Sequence, residues 1–229
     1  MLPPDLRSAE DQAHEALRTA LAGSQSGRWT VEFRFENLRL LPLAVRCCER
    51  LLEQERTLRL LFPDAGAAAL ARRDAPTLAD RIASFSDQRR RPPAQDEVDI
   101  LILVAASQAE YEEVEAICER HRGSVVLINP ALEDAAVGIG SVARQRRRGF
   151  LSGWEAAYAL MPLEGSALRR AWPGPWELYR LDPHRYRSVA SFERRPDGEE
   201  QLQALTGAES GGLGGQLRSF DRLIEGLRR

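Results

Sequence analysis

Four polar or small residues each follow an apolar run in the first part of the chain. The runs are Leu58–Phe62, Val98–Ala106 and Val125–Ile128, and the residues that follow them are Asp64, Gly66, Ser107 and Asn129. If the runs are parallel strands, their carboxyl ends share one edge of a sheet, where α/β proteins bind ligands. This edge would suit a phosphate or a small polar ligand. The alternative is structural, because Asp64 and Ser107 favour helix N-caps. Gly66 likewise favours a turn, and Asn129 a strand exit.

A second group of ligand-binding candidates lies between residues 138 and 144. Gly138 and Gly140 form part of a dinucleotide-binding fingerprint, but a third glycine is missing and a loop precedes them. Arg144 opens an arginine-rich helical segment that would suit an anion. The sequence contains no lysine, which removes Schiff-base chemistry and the phosphate-binding lysine of a P-loop. A P-loop kinase mechanism is therefore not expected.

The histidines and cysteines do not form a recognisable catalytic or metal-binding set. His14, His121 and His184 are far apart, with no H-x-x-x-H or H-E-x-x-H spacing. Cys47 and Cys48 lie on an apolar helical stripe, and no C-x-x-C pair is present. We therefore predict no catalytic residues, no metal ligands and no cofactor, and we favour a binding role over an enzymatic one.

Two apolar features suggest contacts with a partner. Trp172 and Trp176 flank a proline-glycine-proline turn, and exposed indoles at such a turn would anchor a protein or lie among lipid headgroups. Leu217, Phe220 and Ile224 fall on one face of the last segment, which is typical of an amphipathic helix. Both features have an alternative, because the indoles and the helix face also suit packing against the protein's own domain.

Alternating strand and helix signals predict the fold class. Apolar runs and helical segments follow one another through the first 130 residues, which indicates right-handed parallel crossovers in a doubly wound, mainly parallel Rossmann-like α/β sheet. Val31, Phe33 and Phe35 alternate with charged residues, which predicts a strand at an edge or with one solvent-exposed face. Three later runs predict an antiparallel meander that extends the sheet: Tyr158–Leu163, Trp176–Leu181 and Tyr186–Phe192.

Chain length and the composition of successive segments predict the domain organisation. At 229 residues and 43% hydrophobic content, the chain can bury a sizeable core. We expect a single α/β domain over residues 1–205, a glycine-rich linker over 206–215 and a C-terminal amphipathic helix over 216–229. A net charge of −2 gives no reason to expect nucleic acid as a partner. No apolar run approaches the ~18 residues of a membrane span, and no signal peptide is apparent, so we expect a cytoplasmic protein.

Several motifs together resemble a known family. They include Phe62–Asp74, Leu127–Pro130 and Trp172–Trp176, together with the start of the chain and Val31-Glu32. Over most of residues 1–195 the chain resembles a domain-of-unknown-function family shared by cyanobacteria and plastids. That family includes chloroplast auxiliary factors of the Low Photosystem II Accumulation type. It also resembles the region that follows the kinase module of plastid adenylate kinases.

The resemblance implies a function in photosystem II assembly and carries no catalytic residues with it. We expect a non-enzymatic accessory factor for thylakoid biogenesis that contacts photosystem II assembly proteins or subunits. Its place would be the cytoplasmic or stromal side, with peripheral membrane contact. The alternative is a nucleotide- or phosphate-binding regulatory domain. Adenylate kinase activity is not expected, because the chain lacks the kinase module's P-loop.

Overall fold

A computed structural model describes residues 1–24, 26–54, 56–92, 98–132 and 141–209. It contains seven α-helices and nine β-strands within these ranges. The helices are α1 (Leu6–Gly23), α2 (Leu40–Leu52), α3 (Ala65–Asp74), α4 (Phe85–Arg90), α5 (Tyr111–Arg120), α6 (Ser141–Ser152) and α7 (Gly198–Glu209). The strands are β1 (Arg28–Phe33), β2 (Leu58–Phe62), β3 (Ile82–Ser84), β4 (Ile100–Val104), β5 (Ser124–Ile128), β6 (Glu155–Leu163), β7 (Ser166–Ala171), β8 (Trp176–Asp182) and β9 (Arg185–Phe192).

The strands form a mainly parallel sheet in the order β3-β2-β4-β5-β1-β6-β7-β8-β9. Every pairing from β3 through β6 is parallel, whereas β8 and β9 are antiparallel. This arrangement confirms the predicted α/β class and its antiparallel C-terminal extension. By its internal contacts the chain divides into two units. The larger comprises Pro3–Met161 and Arg170–Gly174, and the smaller comprises Met1–Leu2, Pro162–Arg169 and the residues from Pro175 onward.

Helices cover both faces of the parallel sheet in the larger unit. Side chains of α4, α5 and α6 form a core with Leu61, Leu103 and Leu127 on one face. On the other face, side chains of α1 and α2 surround Val31 and Phe33. Strands covered on both sides need apolar side chains on both sides, which explains the uninterrupted burial of β4 and β5.

Strand β1 corrects one sequence prediction. It lies between β5 and β6 rather than at an edge, and Trp29–Phe33 are buried on both faces of the strand. Glu32 is one of the charged residues that predicted a solvent-exposed face, but it is only 4% exposed. Its carboxylate accepts hydrogen bonds from Arg34 at 2.8 Å and 3.1 Å and from Thr30 at 3.2 Å. These bonds stabilise a charge that would otherwise require a solvent-exposed face.

The C-terminal strands also differ in part from the predicted meander. Strand β6 pairs in parallel with β1, with Val31 opposite Tyr158, so it belongs to the parallel sheet. Its run of six buried residues has the uniform burial of a central parallel strand. Strand β7 was not predicted, because only its first half is buried. It follows a turn at Gly165, whose φ of 63° favours glycine.

Side-chain caps determine where two of the helices begin. Helix α1 begins after Asp5, whose carboxylate accepts a hydrogen bond from the Ser8 backbone N–H at 2.7 Å. Helix α4 begins after Ser84, where Ser84 and Asp87 form a reciprocal capping box. At the other end of the described chain, α7 includes residues 206–209, the first residues of the predicted glycine-rich linker.

Candidate functional site

At two places along the carboxyl edge of the parallel sheet, the segments that leave two neighbouring strands lead to helices on opposite faces of the sheet. The segments after β1 and β2 lead to α2 and α3, whereas those after β4 and β5 lead to α5 and α6 on the opposite face. In the strand order, β2 is next to β4, and β5 is next to β1. Ligands of open α/β sheets bind in crevices at such switch points, so these two places are the first candidates for a site.

Asp64 and Gly66 lie at the carboxyl end of β2, where helix α3 begins. The Asp64 carboxylate accepts a hydrogen bond from the Ala67 backbone N–H at 2.8 Å and is the N-cap of α3. A Cβ atom at Gly66 would lie 3.0 Å from the Asp64 carboxylate, so glycine leaves room for the cap. Both residues therefore help to start the helix.

Ser107 lies at the neighbouring edge position, beyond β4. Its hydroxyl donates to the Glu110 carboxylate at 2.6 Å, and its backbone N–H donates to the same oxygen at 2.9 Å. The Ala109 N–H donates to the hydroxyl at 3.3 Å. Ser107 also forms an isolated parallel bridge with Ala131, just beyond β5. Its polar atoms are thus used within the protein.

Asn129 completes the sheet beyond the end of β5. Its side-chain amide donates to the Phe33 carbonyl at 2.7 Å and accepts from the Phe33 N–H at 2.6 Å. The residue has a φ of 47°, in the left-handed region that asparagine tolerates better than most residues. Ala105, just beyond β4, has a φ of 53°. Left-handed residues therefore follow two adjacent strands at the predicted edge.

An ionic pair beside Asn129 was not identified as a site from the sequence. Arg34 bonds the buried Glu32 carboxylate and also donates to the Pro130 carbonyl at 2.6 Å. The pair joins the segments after β1 and β5. The available signal was a glutamate within a predicted strand followed two residues later by an arginine.

A cleft of about 640 Å³ lies beyond the end of β1 and beside Leu160 of β6. Its lining is mostly apolar and includes Pro4, Leu6, Phe35, Leu38, Pro42 and Leu160. Arg39 also lines it, is solvent-exposed and makes no ion pair with the described residues. Arg46 lines it too, but its guanidinium bonds Glu10 at 2.6 Å and 2.8 Å. Of the predicted ligand-binding residues that the structure describes, Asp64, Gly66, Ser107 and Asn129 lie outside this lining.

The two tryptophans of the Pro-Gly-Pro turn have different environments. Trp172 is partly buried, and its ring meets Trp29 edge-on with centroids 5.0 Å apart. The Arg170 guanidinium lies 5.3 Å from the Trp172 ring. Trp176 is only 3% exposed, with the Arg195 guanidinium 5.7 Å from its ring. Trp176 is therefore a core residue, and Trp172 retains only part of the exposure that a partner anchor requires.

Several predicted candidates lie outside the described residues or side chains. Gly138 and Gly140 belong to the segment 133–140, and the C-terminal candidates Leu217, Phe220 and Ile224 lie beyond residue 209. Arg144 lies in α6, where its backbone alone is described. Of the predicted candidates, Asp64, Ser107 and Asn129 are described, and they lie beyond the carboxyl ends of the neighbouring strands β2, β4 and β5.

The buried thiols have environments that suppress thiolate chemistry. Burial raises the pKa of Cys118 to about 12 and that of Cys48 well above its ordinary value. A thiolate is the reactive form of cysteine, so both groups are poor nucleophiles near neutral pH. Among the described residues, no group of three His, Cys, Asp or Glu side chains is arranged to hold a metal ion. No helix in the described ranges has both the length and the apolar character needed to span a membrane.

Comparison with known proteins shows the family of this chain. No curated protein matches the sequence. One protein-family model, described as Domain of unknown function (DUF1995), matches residues 3–203. The match includes β1 through β9 and the first half of α7, and thus the elements that carry the carboxyl edge and the cleft. The chain therefore belongs to the DUF1995 family of domains of unknown function.

Proposed function

We propose that this protein is a non-enzymatic accessory factor in photosystem II assembly and thylakoid biogenesis, and that it acts through contacts with other proteins. The observation that carries the proposal is how the carboxyl edge uses its polar groups. Asp64 caps a helix, Ser107 bonds Glu110, and Asn129 bonds the backbone of Phe33. A residue already engaged in this way contributes to the scaffold, which favours recognition by surfaces over chemistry at the edge.

The assignment to photosystem II rests on the sequence resemblance described above. The proposed partners are photosystem II assembly proteins or subunits. The proposed location is the cytoplasm, or the stroma in a plastid, with peripheral contact at the thylakoid membrane. Trp172 supports a contact role in part, because its indole is partly exposed beside Arg170.

Affinity capture from native cells tests this proposal. The tagged chain is recovered separately from soluble and membrane fractions, and the captured proteins are identified by mass spectrometry. Photosystem II core subunits or assembly intermediates should be enriched in the membrane eluate relative to a capture with the tag alone. Recovery of the chain as a soluble monomer, with no enrichment of those subunits, would contradict the proposal.

The cleft beyond the end of β1 favours a second candidate function, the binding of a nucleotide or another phosphorylated ligand. Its apolar wall suits a base or another flat group, and the guanidinium of Arg39, which forms no ion pair with the described residues, suits a phosphate. Calorimetric titration with adenine and guanine nucleotides and inorganic phosphate tests this function. Binding should weaken in Arg39→Ala and persist in Arg7→Ala, which removes an exposed arginine outside the cleft lining. No heat of binding at millimolar ligand would remove this candidate.

A further inference from the structure

Strand β9 ends the order of strands, and one of its sides has no strand neighbour in the part of the chain that the structure describes. It has eight residues and pairs with β8 in antiparallel orientation. Within the described residues, β8 is its only strand neighbour. The first four residues of β9 are solvent-exposed. An edge strand of this kind presents backbone donors and acceptors that fit another strand.

The hydrogen bonds of β8 identify which backbone groups of β9 point outward. The Leu181 N–H donates to the Gly165 carbonyl at 2.9 Å, so the Leu181 backbone groups point away from β9. Leu181 lies opposite Tyr186, and directly opposed residues of an antiparallel pair share this orientation. The Tyr186 N–H and carbonyl therefore point away from β8. The same holds two residues later at Ser188, which lies opposite Tyr179.

The outward segment is regular and has no partner within the described residues. Four consecutive pairs, from Asp182–Arg185 to Tyr179–Ser188, keep their register before a bulge interrupts it. Neither Tyr186 nor Ser188 forms a hydrogen bond on its outward side with any described residue. Bulges blunt many edge strands, but this one follows Ser188 and leaves the preceding residues available for pairing.

The side chains of β9 indicate the charge of a fitting strand. The strand contains Arg185 and Arg187 and no acidic residue. Arg187 bonds Asp182 at 2.8 Å, whereas the Arg185 side chain is exposed and forms no ion pair with the described residues. On the opposite face, Leu181 and Tyr186 form a cross-strand pair with 52% and 39% exposure. An added strand would meet positive charge on one face and apolar surface on the other.

We propose that β9 binds an extended, acidic segment of a partner protein, which adds to the sheet as a further strand. The inference deepens the proposed function and rests on it, because it names the surface through which an accessory factor would make its contact. A second copy of this chain is a poorer fit, since β9 itself offers no acidic side chain to Arg185. Alternating acidic and apolar residues would match the two faces of β9.

A defined peptide tests the pairing directly. The probe is an end-blocked peptide of alternating glutamate and valine, and the control contains lysine in place of glutamate. On binding of the glutamate peptide, amide exchange should slow at Tyr186 and Ser188, and the lysine peptide should have no such effect. Unchanged exchange at both amides with millimolar glutamate peptide would overturn the proposal. Equal protection by the two peptides would overturn its acidic part.

Substitutions at the outward position separate backbone pairing from side-chain contact. Tyr186→Pro removes an outward N–H, which an edge strand tolerates, and should abolish peptide binding. Tyr186→Thr keeps the N–H and should retain most of the binding, whereas Arg185→Glu should weaken it by about tenfold. Circular dichroism and urea unfolding establish that each variant is folded, and Ser188→Pro replaces Tyr186→Pro if the latter is not. Loss of binding in Tyr186→Thr as great as in the proline variant would contradict backbone pairing.

Two further outcomes separate this inference from the proposed function. If wild-type chain and Tyr186→Pro capture photosystem II subunits equally well, the edge-strand inference fails and the proposed function stands. If the peptide binds as described but the wild-type chain captures no such subunits, the proposed function fails while the strand-binding property remains. A sedimenting dimer that Tyr186→Pro disrupts would assign β9 to self-association and overturn the acidic-partner inference.

Discussion

The side-chain amide of Asn129 forms two hydrogen bonds with the backbone of Phe33, as donor and as acceptor. Its left-handed backbone brings the amide to this position beyond the end of β5. Aspartate would lack the donor, and most other residues would be strained at this φ. Sequence reasoning placed Asn129 at the correct edge, but it did not indicate that the amide bonds a neighbouring strand.

Asn129→Ala should lower the free energy of unfolding by about 3 kcal/mol, because it removes both hydrogen bonds and strains the backbone. Asn129→Gly removes the same bonds but tolerates the positive φ, so its loss should be smaller, about 2 kcal/mol. Urea unfolding measures both variants. If Asn129→Ala is as stable as the wild type, the amide contributes nothing to the fold, and its place at the edge calls for another explanation.

The buried thiols should react slowly in the folded protein. In a Cys47→Ser background, which removes the partly exposed neighbour, a disulfide reagent at about pH 8 should modify Cys48 and Cys118 only on unfolding. Burial raises both pKa values, to about 12 for Cys118, so little thiolate is present at that pH. Absorbance of the released thiol with and without urea provides the measurement. Prompt modification without urea would show that one of the sites is open to solvent.

At the scale of elements, helix α3 depends on the carboxylate that precedes it. Asp64→Ala should destabilise the protein by about 1 kcal/mol, because the Ala67 N–H loses its acceptor at the helix N-terminus. Asp64→Ser retains a capping oxygen and should restore most of the loss. Urea unfolding of the two variants separates a capping role from simple sensitivity to substitution. Equal stability of wild type and Asp64→Ala would show that the cap is dispensable.

The parallel part of the fold was predictable because its strands are uniformly apolar. The apolar runs around β2, β4 and β5 are bounded by caps and turns, so the local sequence pattern predicted that they are strands and how strands and helices alternate. Strand β1 was harder, because a buried glutamate that is paired with an arginine gives the same alternation as a solvent-exposed face. The local sequence shows that Glu32 is polar. It does not show that the Pro130 carbonyl, distant in sequence, helps to hold Arg34 in place.

The strands in the second part of the chain were less predictable, because their pairing and direction depend on which strands lie next to them. Tyr158–Leu163 has the apolar character of any strand, and only its pairing with β1 shows that it is parallel. Strand β7 has buried residues in its first half alone. The candidate sites were also only partly predictable. The carboxyl edge could be predicted from the strand ends, whereas the cleft could not, because it is formed by segments distant in sequence, Pro3–Leu6 and Phe35–Pro42.

At the scale of the whole molecule, the family match over residues 3–203 includes described residues of both structural units. The two proposed functions draw on different parts of this region. The protein-contact function uses Trp172 and the outward side of β9, whereas the ligand-binding function uses the cleft and Arg39. Variants at Tyr186 and at Arg39 therefore report on separate functions, and each is a control for the other.

The most direct test of the central claim is the rate of photosystem II assembly in cells that lack this protein. Newly synthesised core subunits are pulse-labelled, and their passage from assembly intermediates into the complete complex is followed on native gels, with photosystem I as the internal comparison. The account predicts that labelled photosystem II intermediates persist, that photosystem I assembles at its normal rate, and that the reintroduced wild-type chain restores the passage. Normal assembly of photosystem II without the protein would contradict it.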